Sequence, residues 1–308
     1  MNVFLHVGAH RTATTTLQRM MGQSNATLAQ AGIGYWGPKR TRGGLFQGLI
    51  GQSDAVMPWH VNRAAKRVRL NLRKSVDEGR ICQVISEENA LGSMRESLDG
   101  AYLYPDAGAR VARVAAGMRD HPLTIGLAIR SYDAWWASVL AFRLTRGGPL
   151  PRRGFCERLI TQTRRWRHVI ADLAQAMPDV RLAVWTHEDY GARPDALITR
   201  LTGYDLALDG ASEHLNSSAT LTEMRCYLDE CGADPGLIRH RAGRFMPFDE
   251  HQRAVLRAQY AEDLDWLAAG AGGLADYLDE PGQKTHGQTG LGRGYPDDGE
   301  YRRLAHAR

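Results

Sequence analysis

Arg11 and the hydroxyl residues Thr12, Thr14, Thr15 and Thr16 follow Gly8 in the segment His6-Val7-Gly8-Ala9-His10-Arg11-Thr12-Ala13-Thr14-Thr15-Thr16. A cation and a row of hydroxyls behind small residues suit a negatively charged group. Small residues let the backbone approach a ligand. Amides at a helix start point at an anion, and the helix dipole favours it. Arg11 adds charge-assisted hydrogen bonds. His10 lies in the same turn. The plain alternative is a threonine-rich connection between a strand and a helix.

The nucleotide P-loop reads Gly-x4-Gly-Lys-Ser/Thr. In that register the chain offers Gly8, then Ala13, Thr14 and Thr15. Ala13 replaces the second glycine. Thr14 stands where a lysine would reach the β- and γ-phosphates of a nucleotide. The cation has moved upstream to Arg11, and no aspartate at a strand end presents itself for magnesium. The pattern is a phosphate cradle with chemistry unlike that of a kinase or NTPase.

Two more segments carry chemistry. The apolar run Leu123–Ile129 ends in Arg130, and Ser138 follows eight residues later. An arginine at the C-terminal end of a parallel strand stands where open α/β sheets bind ligands. Its guanidinium grips phosphate with two bonds. A second apolar run, Ile81–Ile85, ends in Ser86-Glu87-Glu88-Asn89-Ala90-Leu91-Gly92. A carboxylate there is placed to take a proton from a hydroxyl. Side chains alternate along extended backbone, so one of Glu87 and Glu88 faces a ligand. The alternative is a helix start in which Ser86 caps and the carboxylates answer the dipole.

These motifs resemble those of the sulfotransferases, in their bacterial form. The family's phosphosulfate loop, Lys-Ser/Thr-Gly-Thr-Thr, is matched by Arg11-Thr12-Ala13-Thr14-Thr15, with His6-Val7-Gly8 before it and Leu17-Gln18 after it. Arg11 replaces the lysine and Ala13 the glycine. Arg130 with Ser138 matches the second signature, although Ser131-Tyr132 departs from it. Ser86–Gly92 resembles Ser-Asp-Glu-Asn-Leu-Leu-Gly. Val180–Tyr190 and Tyr260–Leu267 resemble the last core strand and the C-terminal helix. The likeness spans roughly residues 2–270.

The resemblance implies a P-loop-like, three-layer α/β fold around a central parallel sheet. It implies sulfuryl transfer from 3′-phosphoadenosine 5′-phosphosulfate (PAPS) to a hydroxyl, with an amine as second choice. The product would be 3′,5′-adenosine bisphosphate (PAP), and no metal is called for. Gly8, Arg11, Thr12, Ala13, Thr14, Thr15 and Thr16 would hold the 5′ end of the donor. Arg130 and Ser138 would hold its 3′-phosphate. Arg11 would also assist the transfer. Glu88, or failing it Glu87, would be the base, and His10 would touch the sulfuryl group or acceptor. The acceptor would be a small molecule or a glycan. A P-loop kinase or NTPase, and a non-catalytic nucleotide- or polyanion-binding relative, are the rival readings.

Strands and helices must alternate to bring these segments together. Asn2–Val7, Gly32–Tyr35, Ile81–Ile85, Leu123–Ile129 and Val180–Trp185 read as strands. Thr14–Leu28, Val61–Val76, Ala107–Met118, Trp135–Arg143, Glu157–Met177, Pro194–Leu201 and Gln252–Ala269 read as helices. That alternation implies βαβ units and a parallel sheet. Residues 1–279 form the expected domain. From Glu280 the chain is rich in glycine and charge, and 280–308 reads as a flexible tail.

The chain has 308 residues, 43% hydrophobic and 24% charged. Those fractions exclude disordered, collagen-like and disulfide-framework proteins. No apolar run reaches the ~18–20 residues of a membrane span. The N-terminal run breaks to glycine and arginine early, so a cytoplasmic protein is expected. The net charge of +5 suits a protein that handles anions. Its basic clusters, Arg63–Arg73 and Arg164–Arg167, read as solvated faces, and no nucleic-acid motif accompanies them. Cys82, Cys156, Cys226 and Cys231 form no CxxC pair, so reduced thiols are expected.

Overall fold

The sheet has an apolar strand at each predicted place. The computed structural model describes residues 1–51, 57–210, 219–230, 232, 238 and 243–279. Strands β1 (Asn2–His6), β2 (Ile33–Trp36), β3 (Cys82–Ser86), β4 (Leu123–Ile129), β5 (Arg181–Thr186) and β6 (Asp276–Tyr277) form one sheet. Its order is β2-β3-β1-β4-β5-β6, and every pairing is parallel. Parallel strands are covered on both faces, and so read as continuous apolar runs. Phe4, Cys82, Val84, Ala128, Ala183 and Trp185 face one core. Val3, Leu5, Ile85, Leu127, Ile129, Leu182 and Val184 face the other.

Helices α1 (Thr14–Gln23), α2 (Asn25–Gln30), α3 (Pro38–Arg40), α4 (Pro58–Asp77), α5 (Met94–Gly100), α6 (Ala107–Ala115) and α7 (Tyr132–Leu144) come first in the chain. α8 (Arg153–Thr161), α9 (Trp166–Ala176), α10 (His187–Tyr190), α11 (Pro194–Thr202), α12 (Leu221–Glu230) and α13 (Glu250–Ala268) follow. Leu17, Met20, Leu28, Leu197 and Ile198 seal the first core, so α1, α2 and α11 cover that face. Val68, Val111, Trp135, Ile170 and Leu256 join the second, from α4, α6, α7, α9 and α13. This is a three-layer α/β fold. No helix among the described residues is long and apolar enough to cross a membrane.

Register decides which loops meet. His6 pairs with Ser86 on one side and with Gly126 on the other. Beyond β1 the ladder continues, because the Val7 amide donates to the Gly126 carbonyl and the Ala9 amide to that of Ala128. The Glu87 amide donates to the His6 carbonyl at 3.0 Å. The loop after β1 therefore lies between the end of β3 and the end of β4.

Two expected helices are broken. Thr14–Leu28 divides at Ser24, which is buried and whose Oγ accepts the Asp209 amide at 2.8 Å. Glu157–Met177 divides into α8 and α9. Between them Arg164 turns inward and donates to the carbonyls of Leu103 and Tyr104. α5, held by a Ser93–Glu96 capping box, and the two-residue β6 were not anticipated. The expected tail over 280–308 lies outside the described residues.

Candidate active site

Gly8 opens the loop with φ +95. A Cβ there would stand 3.1 Å from Glu88 Cβ and 3.2 Å from the His10 amide, so glycine lets the end of β3 close against the loop. Arg11 and Ala13 both adopt left-handed conformations, with φ of 62 and 64. That region favours glycine. Ala13 is also the N-cap of α1. It offers the first-turn amides no side-chain acceptor, and that turn holds no acidic residue. The helix start is thus uncapped, and first-turn amides of this kind favour an anion.

The threonines divide by role. Thr12 Oγ1 and Thr14 Oγ1 fold back to the Ala9 carbonyl, at 2.6 and 3.1 Å. Thr15 is exposed and Thr16 is buried. His10 is fixed on all sides. Its amide donates to the Tyr104 hydroxyl at 2.9 Å, and its carbonyl accepts from Trp135 Nε1 at 2.8 Å. The Tyr104 proton then goes to His10 Nδ1, 3.0 Å away, so Nε2 carries the hydrogen given to Asn89 Oδ1 at 3.2 Å. Burial holds this imidazole below its ordinary pKa. His10 is a brace for the loop.

The cations gather on the β4 side. Arg130 donates to the Arg11 carbonyl at 2.7 Å, and Arg11 Nε donates to Ser138 Oγ at 2.8 Å. Arg11 therefore links Arg130 to Ser138. Arg130 Nε is buried and has no hydrogen-bond partner among the described residues. Burial, then the charges of Arg130 and Arg146, lower the basicity of Arg11. The Phe142 ring lies under both, 5.4 Å from Arg11 and 3.5 Å from Arg146. Burial also lowers the basicity of Arg130; the charge of Glu188 works against that fall and the charge of Arg244 adds to it. His187, hydrogen-bonded to the Thr12 backbone, is pushed down to about 4 by burial and by Arg130.

The carboxylates gather on the β3 side. Glu87 is fully buried. It accepts from Thr41 Oγ1 at 2.5 Å, from Arg42 Nη2 at 2.8 Å and from the Asn89 amide at 3.1 Å. Glu87 itself, not Ser86, caps the short helix that follows; Ser86 Oγ is engaged by His6 Nδ1 at 2.9 Å. Glu88 keeps some exposure. It accepts from Arg42 Nη2 at 2.7 Å and from Gln18 Nε2 at 2.8 Å. Burial alone would raise its pKa, but the electrostatic influence of the His10 ring and the hydrogen bond and charge of Arg42 outweigh it, and Glu88 stays below the usual carboxylate range. Of the pair, Glu88 is the one against Gly8 and open to a ligand.

Other family-like segments are framework. Glu188 accepts from the Ser131 amide at 3.1 Å and from the Tyr260 hydroxyl at 2.9 Å. Asp189 is bonded to Thr186. Asp263 is fully buried and receives Tyr132 Oη and Arg167.

Arg42, Gln18, Tyr104, Arg146 and His187 complete the site without having been given a role. Gln18 had a signal in the Leu17-Gln18 pair that follows the matched loop, and Arg42 one as a cation before the turn-forming pair Gly43-Gly44. The arrangement sets an uncapped helix start beside Arg11 and Arg130, with the Glu88 carboxylate across Gly8. A comparison with family models finds no match, and comparisons with curated proteins and with solved structures find no significant one.

Proposed function

We propose that the chain is a sulfotransferase, moving a sulfuryl group from PAPS to the hydroxyl of a small molecule or glycan. The observation that carries this reading is Ala13: left-handed at an uncapped helix start, at the position where the resembled loop has glycine. The first-turn amides of α1 and Arg11 would hold the 5′-phosphosulfate. Arg130, with its unpartnered Nε, and Ser138 would hold the 3′-phosphate. The acceptor oxygen would attack sulfur in line as the bond from sulfur to the 5′-phosphate oxygen breaks. Glu88 would take the acceptor proton. Arg11 and the amides would meet the charge left on PAP. Cys82, Cys156 and Cys226 are free thiols, which supports a cytoplasmic location.

A non-catalytic nucleotide-binding relative is the second reading, favoured by the hold of Arg42 and Gln18 on Glu88. It predicts binding of PAP without turnover of PAPS.

Calorimetric titration with PAP, with ATP and magnesium as control, tests the reading. Low-micromolar binding of PAP is expected, and Arg130→Ala should weaken it by about 10–100-fold, since hydrogen bonds to charged groups are worth ~1.5–3 kcal/mol. Equal affinity in Arg130→Ala, or preference for magnesium ATP, refutes it.

A further inference from the structure

The basic helix α4 has a solvent face that its amphipathic pattern does not explain. Its inner face buries Ala64, Ala65, Val68, Leu72 and Ser75. At about 100° per residue, the opposite line runs through Trp59, Arg63, Lys66, Leu70 and Arg73 and ends at Asp77. A surface helix carries polar residues along that line. Here Trp59 and Leu70 sit at its centre, 57% and 56% exposed. Met57, just before the helix, is 55% exposed, and Val76 is exposed near its end. Exposed large hydrophobics among the described residues are thus concentrated on this element.

The cations of α4 divide into two sets. Arg67 turns in to the carbonyls of Leu45 and Gln47, and Arg69 pairs with Asp120 at 2.9 Å. Arg63, Lys66, Arg73 and Lys74 are exposed, and none of them has an ion-pair partner among the described residues. They flank Trp59 and Leu70 on both sides of the line.

We propose that this face of α4 docks on an anionic membrane surface. The four cations would meet lipid phosphates, and Trp59 and Leu70 would enter the boundary between headgroups and acyl chains. Charge complementarity names the partner's sign. A nucleic acid or other polyanion would use the cations but leave Leu70 and Met57 unexplained. Affinity for a membrane grows with both the apolar area inserted and the attraction to anionic lipid. An exposed tryptophan flanked by lysine and arginine suits that boundary.

The test is co-sedimentation of the full chain with vesicles of phosphatidylglycerol and phosphatidylcholine, against vesicles of phosphatidylcholine alone. Binding only to the anionic vesicles is expected. Lys66→Gln/Arg73→Gln should weaken it by about 25-fold, at about five-fold per cation. Trp59→Ser/Leu70→Ser should weaken it about ten-fold or more with every charge intact. All four positions are exposed, so unfolding temperatures should be unchanged, and PAP titration of the same variants reads the nucleotide site separately. Equal binding to neutral vesicles, no binding, or a serine pair that binds like the parent would overturn the proposal. Retention on nucleic acid without retention on vesicles, or a dimer abolished by the serine pair, would overturn it too.

Discussion

Replacing Arg42 by methionine isolates the clamp on the two carboxylates. Methionine keeps most of the apolar stem and removes the charge and the donors. Glu87 is fully buried and takes Arg42 Nη2 at 2.8 Å and Arg42 Nε at 3.1 Å from each carboxylate oxygen. What remains is Thr41 Oγ1 at 2.5 Å and the Asn89 amide at 3.1 Å. Removing one partner of a fully buried pair costs about 3–5 kcal/mol. The Arg42 side chain is 45% exposed, so water replaces part of what is lost. The expected cost is therefore about 2–3 kcal/mol. Urea unfolding near neutral pH measures it. Glu87→Gln removes the charge from the other side. The double variant should cost about 1–2 kcal/mol less than the two single costs added together. Additivity within ~0.5 kcal/mol would refute the clamp. A second readout is acid stability. Glu88 is held below its unfolded pKa, so its contribution is present above the ordinary carboxylate range and lost as pH falls through the folded value. Arg42→Met should show less of that loss.

Ala13→Gly should be neutral or stabilising by up to about 1 kcal/mol, because relief of the left-handed backbone competes with the greater chain entropy of glycine. Ala13→Val should cost about 1–3 kcal/mol in thermal unfolding, and the reverse order would contradict the geometry at this cap. Burial pushes His6 down to about 4, so it stays neutral in the fold while the unfolded chain takes up a proton. Stability from this group is intact above the unfolded value and lost as pH falls towards the folded one, up to about 3 kcal/mol. His6→Asn should flatten the fall in urea midpoint between pH ~7 and pH ~4.5, and an unchanged fall would assign it elsewhere.

The strands were legible because burial on both faces leaves few polar positions, Gln83 and Thr124 among them, to blur the pattern. Val3, Leu5, Val84, Ile125 and Val184 are each almost wholly buried. Helix breaks were not legible, because distant partners decide them. Ser24 ends α1 as it accepts an amide 185 residues away. Arg164 leaves the helical path for carbonyls of Leu103 and Tyr104. Ser24 is a cap-type residue at the start of α2, but nothing local distinguishes Arg164 from an ordinary helical position. Asp276–Tyr277 is too short to carry any alternation, and its place comes from pairing with Ala183 and Val184.

The loop after β1 was legible for a conformational reason. Left-handed backbone selects glycine, so such loops leave a spacing of small residues. Ala13 keeps the shape of that loop and hides its usual letter. Arg42 left almost no trace, since it reaches Glu87 across 45 positions and through a turn of its own. Yet Arg42 decides the electrostatics of the site. It gives the carboxylate half an internal cation. On the other half, Arg11 donates to the hydroxyl of Ser138 and Arg130 to the Arg11 carbonyl, both neutral oxygens, while Arg130 and Arg146 depress the basicity of Arg11. An anion placed at the start of α1 would relieve that mutual repulsion, whereas a cation there would add to it. Sheet register brings the three strand ends together, and Arg42 leaves the assembled site asymmetric in charge, with carboxylates and their cation on the β3 side and Arg11, Arg130 and Arg146 on the β4 side.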